Sequence, residues 1–262
     1  GTRPPYNQIP PVNLRFRTLE GSNPMHRQPT DIRSKPPELG PCTHSDTVIL
    51  GGRIVALRID DFFDDRTAHA LANCLGHLAY ERDEIAAQKR VNRAMRHGDL
   101  PDDPLIHSEN APGHRHALEA LSIFESPWLL NELERTLGIS LRVLRPATPY
   151  RMDVADYIEP HDDHPAPEYR LSLACNLTRD WKIGDGGETV VGLVDTVTEF
   201  DDPEFFFPLK RWTLQPEQRV LTPVFNSVLA LPLSPDHAHA VRPVLRSSRF
   251  SITTLYGHDE AT

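Results

Sequence analysis

Asp156-Tyr157-Ile158-Glu159-Pro160-His161-Asp162-Asp163-His164 is the stretch on which the reading of this chain turns. Side chains alternate along a strand with period two, so a regular strand puts His161 and Asp163 on one face and Asp162 on the other. Pro160 tips the following residues toward a turn, with His164 at its rim. About eighty residues later, His237 and His239 lie in an alternating apolar segment, and either could bring an imidazole to the same place. Arg249-Phe250-Ser251 heads another strand, and Asp185-Gly186-Gly187-Glu188-Thr189 reads as a glycine turn entering an apolar strand.

Outward from this stretch the pattern is one of short strands: Ser140–Leu144, Tyr150–Met152, Leu171–Leu177, Glu188–Val191, Arg219–Pro223, Val228–Leu231 and Phe250–Leu255. Upstream, Ser126-Pro127 to Gly138 carries a cap residue, a first-turn Pro and a terminal Gly, which predicts a helix. A second helix is expected from Thr67 with Asp65 as N-cap, continuing in part through Glu84 to Met95. Val48 to Leu57 reads as a strand interrupted by Gly51-Gly52, and the polar, Pro-rich run from His97 to His116 as a long loop. Helices followed by many strands predict a mainly β fold, a barrel or double sheet with buttressing helices. Nine of the 25 prolines fall within the first 48 residues. The expected division is therefore a Pro-rich extension over 1–46 and a single domain over 47–262, with helical support over about 60–138 and a strand core over about 139–257. The extension reads either as polyproline-like chain or as an arm that offers Tyr6, Arg15 or Arg17 to a site rim.

Composition narrows the partners. A net charge of −9 over 262 residues argues against nucleic acid or anionic membrane as the main partner, and no apolar run is long enough to span a bilayer. Cys42, Cys74 and Cys175 are odd in number and lack Cys-x-x-Cys spacing, which points to neither a disulfide framework nor a zinc site, and to a reducing cytoplasm. The chain opens on Gly1, so a native start is expected upstream.

Two imidazoles and one carboxylate form a ligand set that leaves coordination positions open, as non-haem iron(II) oxygenases require. A buried Arg249 beside it would anchor a carboxylate through its planar fork. In order, His161-x-Asp163, Gly186-Gly187-Glu188-Thr189, His239-x-Val-x-Pro-Val and Arg249-x-Ser251 resemble the prolyl-4-hydroxylase-like branch of the iron(II)/2-oxoglutarate-dependent dioxygenases, over roughly residues 140 to 256.

The resemblance implies a double-stranded β-helix, the cupin-like jelly roll. It implies Fe(II) on His161, Asp163 and His239, with 2-oxoglutarate and O2 as co-substrates and the distal carboxylate on Arg249. The pattern around His239 and its ten-residue spacing to Arg249 favour it over His237. Many relatives carry a Tyr nine residues before the first ligand; here Met152 stands there, and Tyr150, Ser251 or Thr253 could supply the hydroxyl instead. The segment Thr198 to Gln218 departs from the pattern, and Phe205, Phe206 and Phe207 within it are expected to pack, in a loop over the cavity or an apolar patch. Asn226 is expected in a turn. The implied reaction hydroxylates an unactivated C–H bond and releases succinate and CO2. Asp163 speaks against halogenation, and desaturation or cyclisation stay open. The expected substrate is a small polar metabolite, an amino acid or natural-product intermediate, contacted by His164, Tyr157 or Arg242. A peptidyl-prolyl-type protein hydroxylase and a non-catalytic jelly-roll binding protein are the alternatives.

Overall fold

A computed structural model describes residues 35–85, 87–94, 118–138 and 140–258. The expected loop at 97–116 and the proposed arm residues Tyr6, Arg15 and Arg17 lie outside them. The expected boundary at 46/47 falls inside a strand: β1 runs Thr43–Leu50, and Leu39 is already bridged to Phe63.

What reads as one strand broken by Gly51-Gly52 is a hairpin. β1 pairs with β2 (Arg53–Asp60) from Leu50↔Arg53 outward, and the two turn residues have φ of 55° and 76°. A two-residue hairpin turn with both φ positive matches strand twist, and glycine takes that conformation without a Cβ clash. Helix α1 (Asp65–Leu75) is capped one residue earlier than expected, since the Asp64 carboxylate accepts from Arg66 N at 3.0 Å and Thr67 N at 3.2 Å. Its stripe of Ala68, Leu71, Ala72, Cys74 and Leu75 is buried, and Leu71 and Leu75 each contribute about 1.5–3 kcal/mol of burial. They join a cluster centred on Phe62, Phe63 and Phe124, with Phe62 and Phe124 stacked at 5.5 Å. Helix α2 (Pro127–Leu137) keeps the predicted ends: Ser126 Oγ accepts from Leu129 N, and Gly138 closes it at φ 69°. A short 3₁₀ turn (Ala120–Glu125) precedes it.

The expected helical continuation over 84–95 is instead a hairpin, β3 (Tyr80–Ile85) and β4 (Lys89–Ala94). Its Glu, Arg and Ala content favours helix locally, but a buried carboxylate on another element decides the matter. Asp156 is 1% exposed. It takes both guanidinium nitrogens of Arg82 at 2.8 and 2.9 Å and the Asn92 amide at 3.1 Å, which ties the hairpin to the β5–β6 turn.

The remaining strands are β5 (Arg142–Met152), β6 (Tyr157–His161), β7 (Tyr169–Asn176), β8 (Thr189–Phe200), β9 (Leu209–Leu221), β10 (Ser227–Pro232), β11 (His237–Val241) and β12 (Arg249–Gly257). All pairings are antiparallel, in the order β1-β2-β10-β7-β12-β5-β4-β6-β11-β8-β9, with β3 attached to β4. The sheet curls into a nearly closed barrel of jelly-roll type with the helices against one side. Asn226 sits in the turn before β10 at φ 59°, and its side chain bonds both Phe63 N and Phe63 O.

β8 and β9 make most of the insertion-like segment Thr198 to Gln218 a paired ribbon, and the loop expected around Asp201 to Phe207 lies at its tip. They form a long ribbon that stays paired out to Phe200↔Leu209, and Val197↔Trp212 is one of the aromatic–β-branched pairs that favour such ladders. Of the phenylalanines at its tip, Phe206 and Phe207 are exposed, while Phe205 is half-buried and sets its ring edge-on to Phe207 at 5.7 Å.

Candidate metal centre

β6 and β11 are neighbours, and their ladder sets His239 directly opposite His161. Cross-strand partners face the same side, so the two rings lie 4.2 Å apart between centroids. Both Nε2 atoms approach one carboxylate: His161 to Asp163 Oδ1 at 3.4 Å and His239 to Asp163 Oδ2 at 3.3 Å. One potential ligand atom from each of the three residues falls within 4.8 Å of the others. His161 Nδ1 bonds the Glu159 carbonyl at 2.9 Å, so that nitrogen carries the proton and Nε2 keeps its lone pair.

Asp163 does not reach the cluster by strand alternation. β6 ends at His161, and Asp163 lies in the following bend at φ 48°. Left-handed backbone at a non-glycine residue is uncommon and is held here by tertiary context. Asp162 stabilises the bend, its Oδ1 accepting from His164 N at 3.1 Å. Burial opposes charge at all three groups, but the two imidazoles hold the Asp163 carboxyl well below the usual carboxylate range. Asp163 and the Glu159 carbonyl outweigh burial at His161 and raise its pKa, whereas burial and the neighbouring His161 lower that of His239. His237 turns elsewhere, with its Nε2 on the Pro232 carbonyl.

The triad opens on a cavity of about 270 Å³. Arg249, first residue of β12 and opposite Met152, lies in its wall and is 7% exposed. Its Nη1 meets Ser251 Oγ at 3.3 Å and Met152 Sδ at 3.6 Å, while Nε is buried without a hydrogen-bond partner. Burial brings the guanidinium down to about 10, so it stays charged at neutral pH. The glycine turn makes room for it: a Cβ on Gly187, at φ +74°, would stand 2.9 Å from Arg249 Cδ. Tyr150, Ser251 and Thr253 line the same wall.

His164, Tyr157 and Arg242, expected at the substrate, are not among the lining residues. Opposite Val241 and His239, β6 spends three steps from Ile158 to His161 where β11 spends two. That bulge reverses the alternation, so Ile158 faces the cavity and Tyr157 does not. Arg242 is exposed beyond inward-facing Val241. His164 continues the turn after Asp163. Residues that sequence reasoning passed over include Arg145, Thr148, Lys210, Arg211 and Trp212. Thr148 follows Tyr150 by plain alternation, while a bulge places Arg145 and the ribbon places Lys210, Arg211 and Trp212, and neither leaves a signal in the residue pattern.

The family model of the 2OG-Fe(II) oxygenase superfamily matches residues 147–257, which contain every one of these ligand candidates. The part of the chain that carries the site is thus similar to the 2OG-Fe(II) oxygenase superfamily. Solved structures share its fold. A Pseudomonas putida prolyl-4-hydroxylase aligns with TM-score 0.52 at 14% identity, over 78% of this chain and 92% of its own. A Trichoplax adhaerens prolyl hydroxylase, in complex with a hypoxia inducible factor peptide fragment, aligns with TM-score 0.54 at 13% identity, over 78% and 84%. A Burkholderia pseudomallei 2OG-Fe(II) family oxidoreductase aligns with TM-score 0.50 at 20% identity, over 79% and 89%. No curated protein matches the chain by sequence. The family uses Fe(II), 2-oxoglutarate and O2. The residues present suit them: two imidazole nitrogens and a carboxylate converge, and an unpartnered guanidinium nitrogen lies buried in the same wall.

Proposed function

We propose that this oxygenase hydroxylates an unactivated C–H bond of a small polar metabolite, an amino acid or natural-product intermediate, in the cytoplasm. The carrying observation is the buried Arg249, with no carboxylate partner among the described residues, in the wall of the cavity that holds the triad, which would supply an anchor for the distal carboxylate of 2-oxoglutarate. His161, Asp163 and His239 would hold Fe(II), with Ser251, Tyr150 and Thr253 lining the co-substrate's path. Bound iron supplies the O2 activation that couples decarboxylation of 2-oxoglutarate to oxidation of the C–H bond. In balance, substrate, O2 and 2-oxoglutarate give alcohol, succinate and CO2.

The chain's own residues set the conditions. The Glu159 carbonyl fixes the His161 tautomer, and Asp163 occupies the third protein position, which favours oxygen transfer over halide transfer. Val91, Met152, Ile158 and Val241 give part of the cavity an apolar lining that excludes water. A volume of about 270 Å³ lies at the small end of ligand pockets, which run from about 300 to 1,000 Å³, and so favours a compact substrate. Among the described residues no helix is long and apolar enough to cross a membrane.

The peptidyl hydroxylase reading draws on the Trichoplax structure, whose bound partner is a peptide. Succinate release by iron-loaded enzyme separates the two. Release that depends on small-molecule fractions supports the metabolite reading, and release that depends on peptide replaces it. Neither iron retention nor 2-oxoglutarate consumption under any condition defeats both.

A further inference from the structure

The β5/β12 pairing carries an irregularity in the cavity wall. Thr148 lies opposite Thr253 and Arg145 opposite Leu255, so β5 takes three steps where β12 takes two. Thr148 and Tyr150 face the cavity, and a regular strand would send Arg145 to the other side. The extra residue reverses the alternation and brings Arg145 into the lining, the way bulges re-aim side chains beside active sites.

Charge supplies a second, independent observation. The chain has 37 acidic residues against 28 Lys and Arg, yet the cavity lining reverses this balance. Lys89 is engaged by Asp83 at 2.8 Å, and Arg249 is taken by the co-substrate. That leaves Arg145 on β5 and Lys210 and Arg211 on the β8–β9 ribbon, with no carboxylate partner among the described residues. Glu159 is the one lining carboxylate outside the triad. Six residues of strand separate Arg249 from Leu255, the partner of Arg145, or about 20 Å at about 3.3 Å per residue. The two arginines thus sit toward opposite ends of the strand pair, and Arg145 offers an anion position separate from the seat of Arg249.

We propose that Arg145, supported by Lys210 and Arg211, binds an anionic group on the primary substrate, so that the enzyme selects carboxylates or phosphate monoesters over neutral compounds. The proposal rests on the hydroxylase reading above and narrows it. A guanidinium fork matches either anion, and concentrated positive charge at a cavity in an acidic protein draws such ligands in.

The test uses the full chain loaded with Fe(II) and 2-oxoglutarate under nitrogen. N-acyl amino acids, hydroxy acids and sugar phosphates are each paired with the neutral amide or dephosphorylated counterpart, and binding is read from the thermal midpoint. The carboxylate and phosphate arms show which source is preferred. At least one anionic member should bind about tenfold tighter than its neutral partner, in keeping with a charged hydrogen bond. Arg145→Gln should cut that preference about tenfold, and Arg145→Lys should keep most of it. If no pair shows the preference, or if it survives both Arg145→Gln and the Lys210→Gln/Arg211→Gln double variant, the proposal is overturned. Succinate release on admitting air keeps the two readings apart. Turnover without charge preference defeats this assignment alone, and no turnover with any compound defeats the hydroxylase reading, leaving the binding preference to decide this one.

Discussion

Replacing Arg249 with Met separates a cation kept for a ligand from one kept for the fold. The guanidinium is buried, has Ser251 Oγ and Met152 Sδ as neighbours, and has no carboxylate partner among the described residues. Lowering its pKa by burial from the ordinary guanidinium value to about 10 corresponds, at about 1.4 kcal/mol per pH unit, to about 3 kcal/mol of penalty in the ligand-free protein. The sign follows from proton binding. Below pH 10 both folded and unfolded states are charged and the full penalty applies; above about 10 the unfolded chain holds more protons than the folded one, so the penalty fades as pH rises. Methionine keeps the length and apolar stem and removes the charge. Iron-free Arg249→Met should therefore match or exceed the parent in stability at pH 7, by at most about 3 kcal/mol, with the gap closing above pH 10. Urea unfolding with and without 2-oxoglutarate measures both consequences. At one hundred times Kd the co-substrate should stabilise the parent by about 2.7 kcal/mol and leave the variant unchanged. A ligand-free variant less stable than the parent by more than about 1 kcal/mol, or one still stabilised by 2-oxoglutarate, would refute the reasoning.

Alanine at His161, Asp163 or His239 should each abolish iron retention after desalting, while His237→Ala keeps it; metal analysis decides, and iron loss in the His237 variant alone would reassign the third ligand. Gly187→Ala should raise the 2-oxoglutarate requirement about tenfold or more, because its Cβ would crowd Arg249 and left-handed backbone costs about 1–2 kcal/mol with a side chain present; an unchanged KM for 2-oxoglutarate would count against this seat. Asp156→Ala removes the carboxylate shared by Arg82, Arg90 and Asn92, which keep other hydrogen bonds, and the two guanidinium groups are partly exposed and so partly screened. It should cost about 2–3 kcal/mol in thermal unfolding, at the low end for breaking a buried pair, and a loss below about 0.5 kcal/mol would show that the β3–β4 hairpin docks by other means.

Residue chemistry and the family resemblance were enough to name His161, Asp163, His239 and Arg249 as candidates, and the fold brings all four to one cavity. Local information marked α2 through its cap, first-turn proline and terminal glycine, and most of the barrel strands through alternation. Local propensity misled at Glu84 to Met95, where the buried carboxylate of Asp156, some seventy residues away, recruits Arg82 and Asn92 into a hairpin. At Thr198 to Gln218 the insertion-like segment is mostly a ribbon formed by the neighbouring strands β8 and β9 around a short loop.

Tertiary structure alone decided how the His-x-Asp pair works. The shared face expected from a regular strand is absent; a bend at φ 48°, stabilised by Asp162, carries Asp163 to the imidazoles. It alone decided which side chains face the cavity. Two bulges each advance the alternation by one residue: the one in β6 exchanges Ile158 for Tyr157, and the one in β5 brings in Arg145. Register is a property of paired strands, so it cannot be read from either strand by itself.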